Sequence, residues 1–133
     1  MANTTFTGPV RSQNGFQSVT VSSTTGAVTV NSSFGKDVVL STQSLSGAGA
    51  VNVTDAFTSL TTTGASKALT LANGSVGEVK IIVHAVDGGS AILTPTTKIG
   101  FSTITFTAVG DAVTLIYTSA GWAVIGSKGV TIA

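Results

Sequence analysis

Glu78-Val79-Lys80-Ile81-Ile82-Val83-His84-Ala85-Val86-Asp87-Gly88-Gly89-Ser90-Ala91-Ile92-Leu93-Thr94 decides the fold class. Val79, Ile81 and Val83 fall on one side of an extended chain, and Lys80, Ile82 and His84 on the other. Asp87-Gly88-Gly89 interrupts the run with turn chemistry, so the stretch reads as two strands joined by a tight hairpin. The same period of two recurs in both directions along the chain. Val19 and Val21, Val28 and Val30, Val51 and Val53, and Leu69 and Leu71 each alternate with polar residues. Ile104 and Phe106 follow, then Val113, Leu115 and Tyr117. Val and Thr dominate these runs and suit a pleated surface, and no stretch has helical periodicity.

Gly110-Asp111 and Ser119-Ala120-Gly121 separate further runs. Short strands at this spacing predict an all-β fold: an antiparallel β-sandwich or a small β-barrel, jelly-roll-like. Residues 1–16 are polar, contain Pro9 and Arg11 and do not alternate, so they read as an extended N-terminal arm. Residues 17–133 then form a single β-domain. Its densest core is expected at 77–133, which holds the only Trp, Tyr and His. Gly26-Ala27-Val28-Thr29-Val30 and Gly49-Ala50-Val51-Asn52-Val53 look alike, but their spacing does not recur. They read as similar hairpin starts and not as a solenoid repeat.

The chain has 133 residues, of which 8 % are charged, with a net charge of +1 and no cysteine. Typical soluble domains carry about 25 % charged residues. A folded chain of this length exposes roughly 6,400 Å², so most of the surface must be Ser, Thr, Gly and Ala. Such a surface tolerates being covered by neighbours, which favours an assembly component over a diffusing catalyst. Without cysteine there is no disulfide framework and no thiolate chemistry. Six basic residues are too few for a groove that tracks phosphates, so nucleic acid is not an expected partner. The opening Met1-Ala2-Asn3-Thr4-Thr5 has no basic-then-apolar leader, and the run around Ile81-Ile82-Val83 is too short to span a membrane. Neither membrane association nor secretion is expected, and the chain is expected to be assembled in a cytoplasm.

Candidate chemistry is sparse. His84 has no second ligand at metal-binding spacing, so no metal site and no cofactor are expected. It reads as a strand histidine at a surface or subunit contact. The carboxylates are Asp37, Asp55, Glu78, Asp87 and Asp111. Asp87 and Asp111 adjoin glycines in turns, where Asp bonds the local backbone. No Gly-x-Ser-x-Gly elbow occurs, and Ser46-Gly47-Ala48-Gly49-Ala50 lacks the Lys-Ser/Thr pair of a phosphate loop. No catalytic residue is assigned, and the chain is not expected to be an enzyme. Tyr117 and Trp122 flank a turn, where they would form a sugar-stacking platform or cover a barrel end or subunit seam.

Two stretches resemble small virion proteins of tailed bacteriophages, particularly phages of marine bacteria. Met1-Ala2-Asn3-Thr4-Thr5-Phe6-Thr7-Gly8-Pro9-Val10-Arg11-Ser12, followed by Asn14-Gly15-Phe16, is similar to their N-termini. Phe101-Ser102-Thr103-Ile104-Thr105-Phe106, Gly110-Asp111-Ala112-Val113-Thr114-Leu115 and Gly121-Trp122 through Gly129-Val130-Thr131-Ile132 resemble their C-terminal β-module. Together they cover under half the chain. The resemblance implies a capsid decoration (cement) protein on the outer capsid surface of the virion, bridging neighbouring major capsid protein subunits as a homotrimer. Phe6, Val10, Arg11 and Phe16 are the expected capsid contacts, and His84, Tyr117 and Trp122 the expected oligomer or surface contacts. The alternatives are a tail fibre or receptor-binding component that touches host glycans through Trp122 and Tyr117, and a small cytoplasmic barrel holding an apolar ligand.

Overall fold

The computed structural model describes residues 16–34 and 39–133. The chain divides into two compact units, residues 1–39 and 40–133, where composition suggested an arm to 16 and one domain beyond it. The first unit contains β1 (Phe16–Val21) and β2 (Val28–Phe34), an antiparallel pair in which Val19 faces Val30 and Val21 faces Val28. Its turn is closed by the Ser22 amide donating to the Ala27 carbonyl at 2.8 Å and by Gly26 donating back to Ser22 at 2.9 Å.

The second unit is entirely β among its described residues. Its strands are β3 (Thr42–Ser46), β4 (Gly49–Val51), β5 (Phe57–Thr61), β6 (Lys67–Leu71), β7 (Val79–Val86), β8 (Ala91–Pro95), β9 (Ile104–Phe106), β10 (Ala112–Thr118), β11 (Gly121–Lys128) and β12 (Thr131–Ile132). They form two five-stranded sheets. Sheet I has the order β11-β10-β7-β5-β3, and sheet II the order β12-β9-β8-β6-β4. The all-β, two-sheet expectation therefore holds, and no barrel closes.

Strand direction differs from expectation. β3, β5 and β7 are mutually parallel in sheet I, as are β4, β6 and β8 in sheet II. The chain passes from sheet I to sheet II three times and returns twice between those passages, as a short two-sided β-solenoid. The segment from β9 to β12 then reverses direction and pairs antiparallel with β7, β8 and itself. The solenoid is invisible as a sequence repeat because its connections are unequal. Phe57 stacks on Ile81 and Leu69 on Leu93 at an offset of 24 residues, but Thr42 stacks on Phe57 at 15 and Gly49 on Leu69 at 20. Gly49-Ala50-Val51 is thus a solenoid strand and not a hairpin start.

Asp87-Gly88-Gly89 is likewise not a hairpin turn, since β7 and β8 lie in different sheets. It is a corner stacked directly on the preceding one, at residues 62–66. The Gly88 amide donates to Thr62 Oγ1 at 2.8 Å, and the Gly89 amide to Asp87 Oδ1 at 2.8 Å. A Cβ on Gly88 would lie 2.5 Å from the Thr62 carbonyl oxygen, and one on Gly89 would lie 2.5 Å from Gly64 and Ala65 backbone atoms. Glycine is needed there for close backbone approach. The turn at Ser119-Ala120 is a true two-residue hairpin, with Tyr117 opposite Trp122.

The core lies between the sheets. Sheet I contributes Leu60, Ile82, Val113, Leu115 and Trp122, and sheet II contributes Val51, Leu69, Leu71, Ala91, Leu93, Ile104 and Phe106. Most of these fall within 77–133, but Val51, Leu60, Leu69 and Leu71 extend the core back through the earlier coils. The stacked corner gives a direct test. Gly89→Ala combines a positive φ of 139° with a backbone clash, and should cost about 3 kcal/mol from overpacking and strain together. Gly126→Ala, whose Cβ would meet nothing within 4 Å, should stay within about 0.5 kcal/mol. Urea unfolding of both variants measures the difference, and equal midpoints would refute the stacked corner.

Candidate interaction surface

β7 positions the most informative side chains of the molecule. Its burial alternates in the sense opposite to side-chain polarity: Lys80, Ile82 and His84 are completely buried, while Val79 is exposed and Ile81 and Val83 are half-exposed. The strand thus points an ammonium and an imidazole into the core and three aliphatic side chains outward.

Each inward polar group is built into the coil beside it. Lys80 Nζ donates to the main-chain carbonyl of Asp55. That carbonyl is presented by the β4–β5 connection, where Asn52 Nδ2 donates to Asp55 Oδ2 at 2.8 Å and the Asp55 amide donates to Asn52 Oδ1 at 3.0 Å. Gln43 anchors the connection in turn. Its Oε1 accepts from the Asn52 amide and from Thr58 Oγ1, both at 3.0 Å, while Nε2 donates to the Ala50 carbonyl at 2.9 Å. Burial pushes the Lys80 ammonium below the ordinary lysine pKa, and the charges of Asp55 and Glu78 oppose that shift.

At the other end of β7, His84 Nε2 and Thr62 Oγ1 share a hydrogen bond of 3.0 Å, and the imidazole meets Phe106 edge-on at 6.3 Å. His84 Nδ1 is buried without a partner. The His84 backbone brackets the Gly110-Asp111 turn, with its amide donating to the Asp111 carbonyl and its carbonyl accepting from Gly110. Asp111 Oδ2 accepts from the Thr107 amide at 2.7 Å and the Ala108 amide at 3.0 Å. The Thr107 amide, aided by that of Ala108, holds the Asp111 carboxyl below the usual carboxylate range against the opposing effect of burial.

The expected contact residues are placed as follows. His84 and Trp122 are fully buried, so neither presents its side chain to a partner surface, which corrects the surface role expected for both. Trp122 Nε1 donates to the Ala72 carbonyl at 2.8 Å, and its ring meets the half-buried Tyr117 edge-on at 5.1 Å. Residues 72–78 strap across this pair. Gly77 donates to the Tyr117 carbonyl and the Tyr117 amide to the Glu78 carbonyl, both at 2.8 Å. A Cβ at Gly74 would lie 3.0 Å from the indole. The pair is core and strap, not an open sugar platform. Phe6, Val10, Arg11 and Asp37 lie outside the described residues; Phe16 opens β1, with its backbone paired to that of Phe34.

The described carboxylates act locally. Asp55 Oδ2 accepts from the Asn52 side-chain amide, Asp111 from the Thr107 and Ala108 amides, Asp87 from the Gly89 amide, and Glu78 Oε2 from the Ser75 amide at 2.8 Å. Charge is thereby gathered at loops and strand ends, and on the outer face of sheet I it is carried by the exposed Lys128, at the end of β11 opposite Ala112. Register places Phe57 and Thr114 on either side of Ile81, Ser59 and Ala112 on either side of Val83, and Ile116 beside Val79 and Ala123. Alternation of the strand sequence missed this face because it cannot tell which of its two sides is inward. The chain matches no protein-family model, and no curated protein matches it.

Asp111 supplies a pH test. Its folded pKa is lowered, so its stabilisation is complete above the ordinary Asp value of about 3.9 and is lost as pH falls through the folded value. Asp111→Ala should cost about 2 kcal/mol at pH 7, typical of hydrogen bonds to a charged acceptor. The gap between wild type and Asp111→Asn should narrow at pH 2. Urea titrations at both pH values measure it, and an unchanged gap would show that the carboxylate charge contributes nothing.

Proposed function

We propose that the protein is a non-enzymatic virion component of a tailed bacteriophage, of the capsid decoration type, which binds the outer shell and bridges neighbouring major capsid subunits. The observation that carries this reading is the partly aliphatic outer face of sheet I, where Lys128 at the end of β11 carries the charge, combined with charged groups directed into loops and core. A protein that works by being covered on several sides gains from faces that are cheap to desolvate. The terminal stretches similar to phage virion proteins point the same way. Phe6, Val10, Arg11 and Phe16 remain the proposed shell contacts, acting by adding an extended segment to a capsid sheet edge.

The fibre reading relied on Trp122 as a glycan platform. With Trp122 beneath the 72–78 strap, decoration is the stronger proposal. Two experiments test it. Quantitative mass spectrometry of purified particles should find a copy number comparable with the shell subunit, whereas a handful of copies would move the protein to a tail or vertex. Deleting residues 2–16 should abolish co-sedimentation with capsids while the unit at 40–133 keeps its unfolding transition. Undiminished co-sedimentation would overturn the contact assignment.

A further inference from the structure

We infer that the Asn73-Gly74 pair of the 72–78 strap is a site of spontaneous covalent modification, at which the chain rearranges its own backbone and loosens the cover over Trp122. This goes beyond the decoration reading and stands independently of shell binding.

An asparagine carboxamide is open to attack by the backbone nitrogen of the next residue when both groups are free and no side chain crowds the approach. The strap meets each condition. Asn73 is exposed, and neither its carboxamide nor the Gly74 amide has a hydrogen-bond partner among the described residues. Residue 74 has no side chain, and packing holds it to glycine. A Cβ there would lie 2.8 Å from Glu78 Oε2 and 3.0 Å from the Trp122 ring. The closeness that seals the indole therefore also leaves the Asn73 carboxamide unshielded. Asn52 is the contrast. Both ends of its carboxamide are bonded to Asp55, and the β-branched Val53 follows it. At Asp87-Gly88 the nitrogen that would attack donates instead to Thr62 Oγ1 at 2.8 Å. Asn14-Gly15 lies outside the described residues.

The Gly74 nitrogen gives up its proton to solvent base and bonds to Asn73 Cγ, and the carboxamide nitrogen leaves as ammonia. Water then opens the resulting succinimide at one of its two carbonyl carbons. Breakage of the new N–Cγ bond leaves an aspartyl residue in the original backbone. Breakage of the bond to the main-chain carbonyl leaves an isoaspartyl residue, whose backbone runs through Cγ and is one carbon longer. Water enters and ammonia leaves, with no cofactor and no change of oxidation state.

The strap is pinned on both sides of this pair. Trp122 Nε1 holds the Ala72 carbonyl at 2.8 Å, and Glu78 Oε2 holds the Ser75 amide at 2.8 Å. An extra backbone carbon between these points breaks their spacing. Either product also adds a negative charge next to the glycine that Glu78 already crowds. Trp122 is the only tryptophan and is fully buried, so its emission reads the strap directly.

The test incubates the full chain, folded, at pH 7 and at pH 9, beside a sample held in urea. Peptide mass spectrometry should find aspartyl and isoaspartyl products at Asn73 in the folded samples before any conversion at Asn52. Conversion should be faster at pH 9, because the attacking nitrogen must lose its proton. Trp122 emission should shift to the red in step with the isoaspartyl fraction. Asn73→Gln, in which attack would have to close a larger ring, should keep its mass and its emission. That variant should also keep its unfolding transition, since Asn73 has no partner among the described residues. A folded chain still intact at Asn73 once the urea sample has converted would overturn the inference, and so would conversion that leaves Trp122 emission unchanged. Capsid co-sedimentation reads the decoration proposal separately, since the shell contacts are assigned to other residues.

Discussion

Burial of the Lys80 ammonium constrains much of the unit at 40–133. An ammonium taken out of water costs several kcal/mol unless its donors find acceptors. Here the acceptor is the Asp55 main-chain carbonyl, which holds its place only because Asn52 and Asp55 close the β4–β5 connection and Gln43 ties that connection to Thr58. One buried charge on β7 thus links the first coil of the solenoid to the third. His84 plays the corresponding part at the other end of the strand, tying the Thr62 corner and the Gly110-Asp111 turn to the same element. Both polar anchors require β7 to keep the register that turns its aliphatic side outward.

The legible part of the sequence was local. Alternation at Leu69 and Leu71, at Val79 to Val83, at Ile104 and Phe106, and at Val113 to Tyr117 marks strands that the structure contains. The Ser119-Ala120 hairpin also follows from its turn residues. Strand direction was not legible, because side-chain alternation is the same in parallel and antiparallel pairs. The coil repeat was masked by connections as short as Gly47-Ala48 and as long as residues 72–78. Gly88-Gly89 carries the composition of a hairpin turn, yet its glycines serve the approach of one corner to another. Nothing within a single strand distinguishes these uses.

The candidate surface was illegible for a related reason. Lys80 and His84 look like the solvent side of a strand, and Val79, Ile81 and Val83 like its core side, because burial normally follows polarity. Their inversion depends on partners far along the chain, Asp55 for Lys80 and Thr62 for His84. Trp122 allowed both an exposed platform and a covering role. A Trp beside a hairpin turn has the profile of an exposed platform, but the strap that covers it is supplied by residues 72–78, distant in sequence. Signals that require two remote segments to meet are absent from periodicity and composition alike.

Edge geometry keeps both sheets from growing by strand addition. A sheet edge invites pairing when it is long, flat and unprotected. In sheet II the outer strands are β4 and β12, of three and two residues. In sheet I, β3 has five residues rich in Ser and Thr, and β11 is irregular where its register with β10 shifts at Thr114/Leu115. Both C-terminal edges are also occupied by strands that reverse the solenoid direction, which ends the stacking of parallel coils.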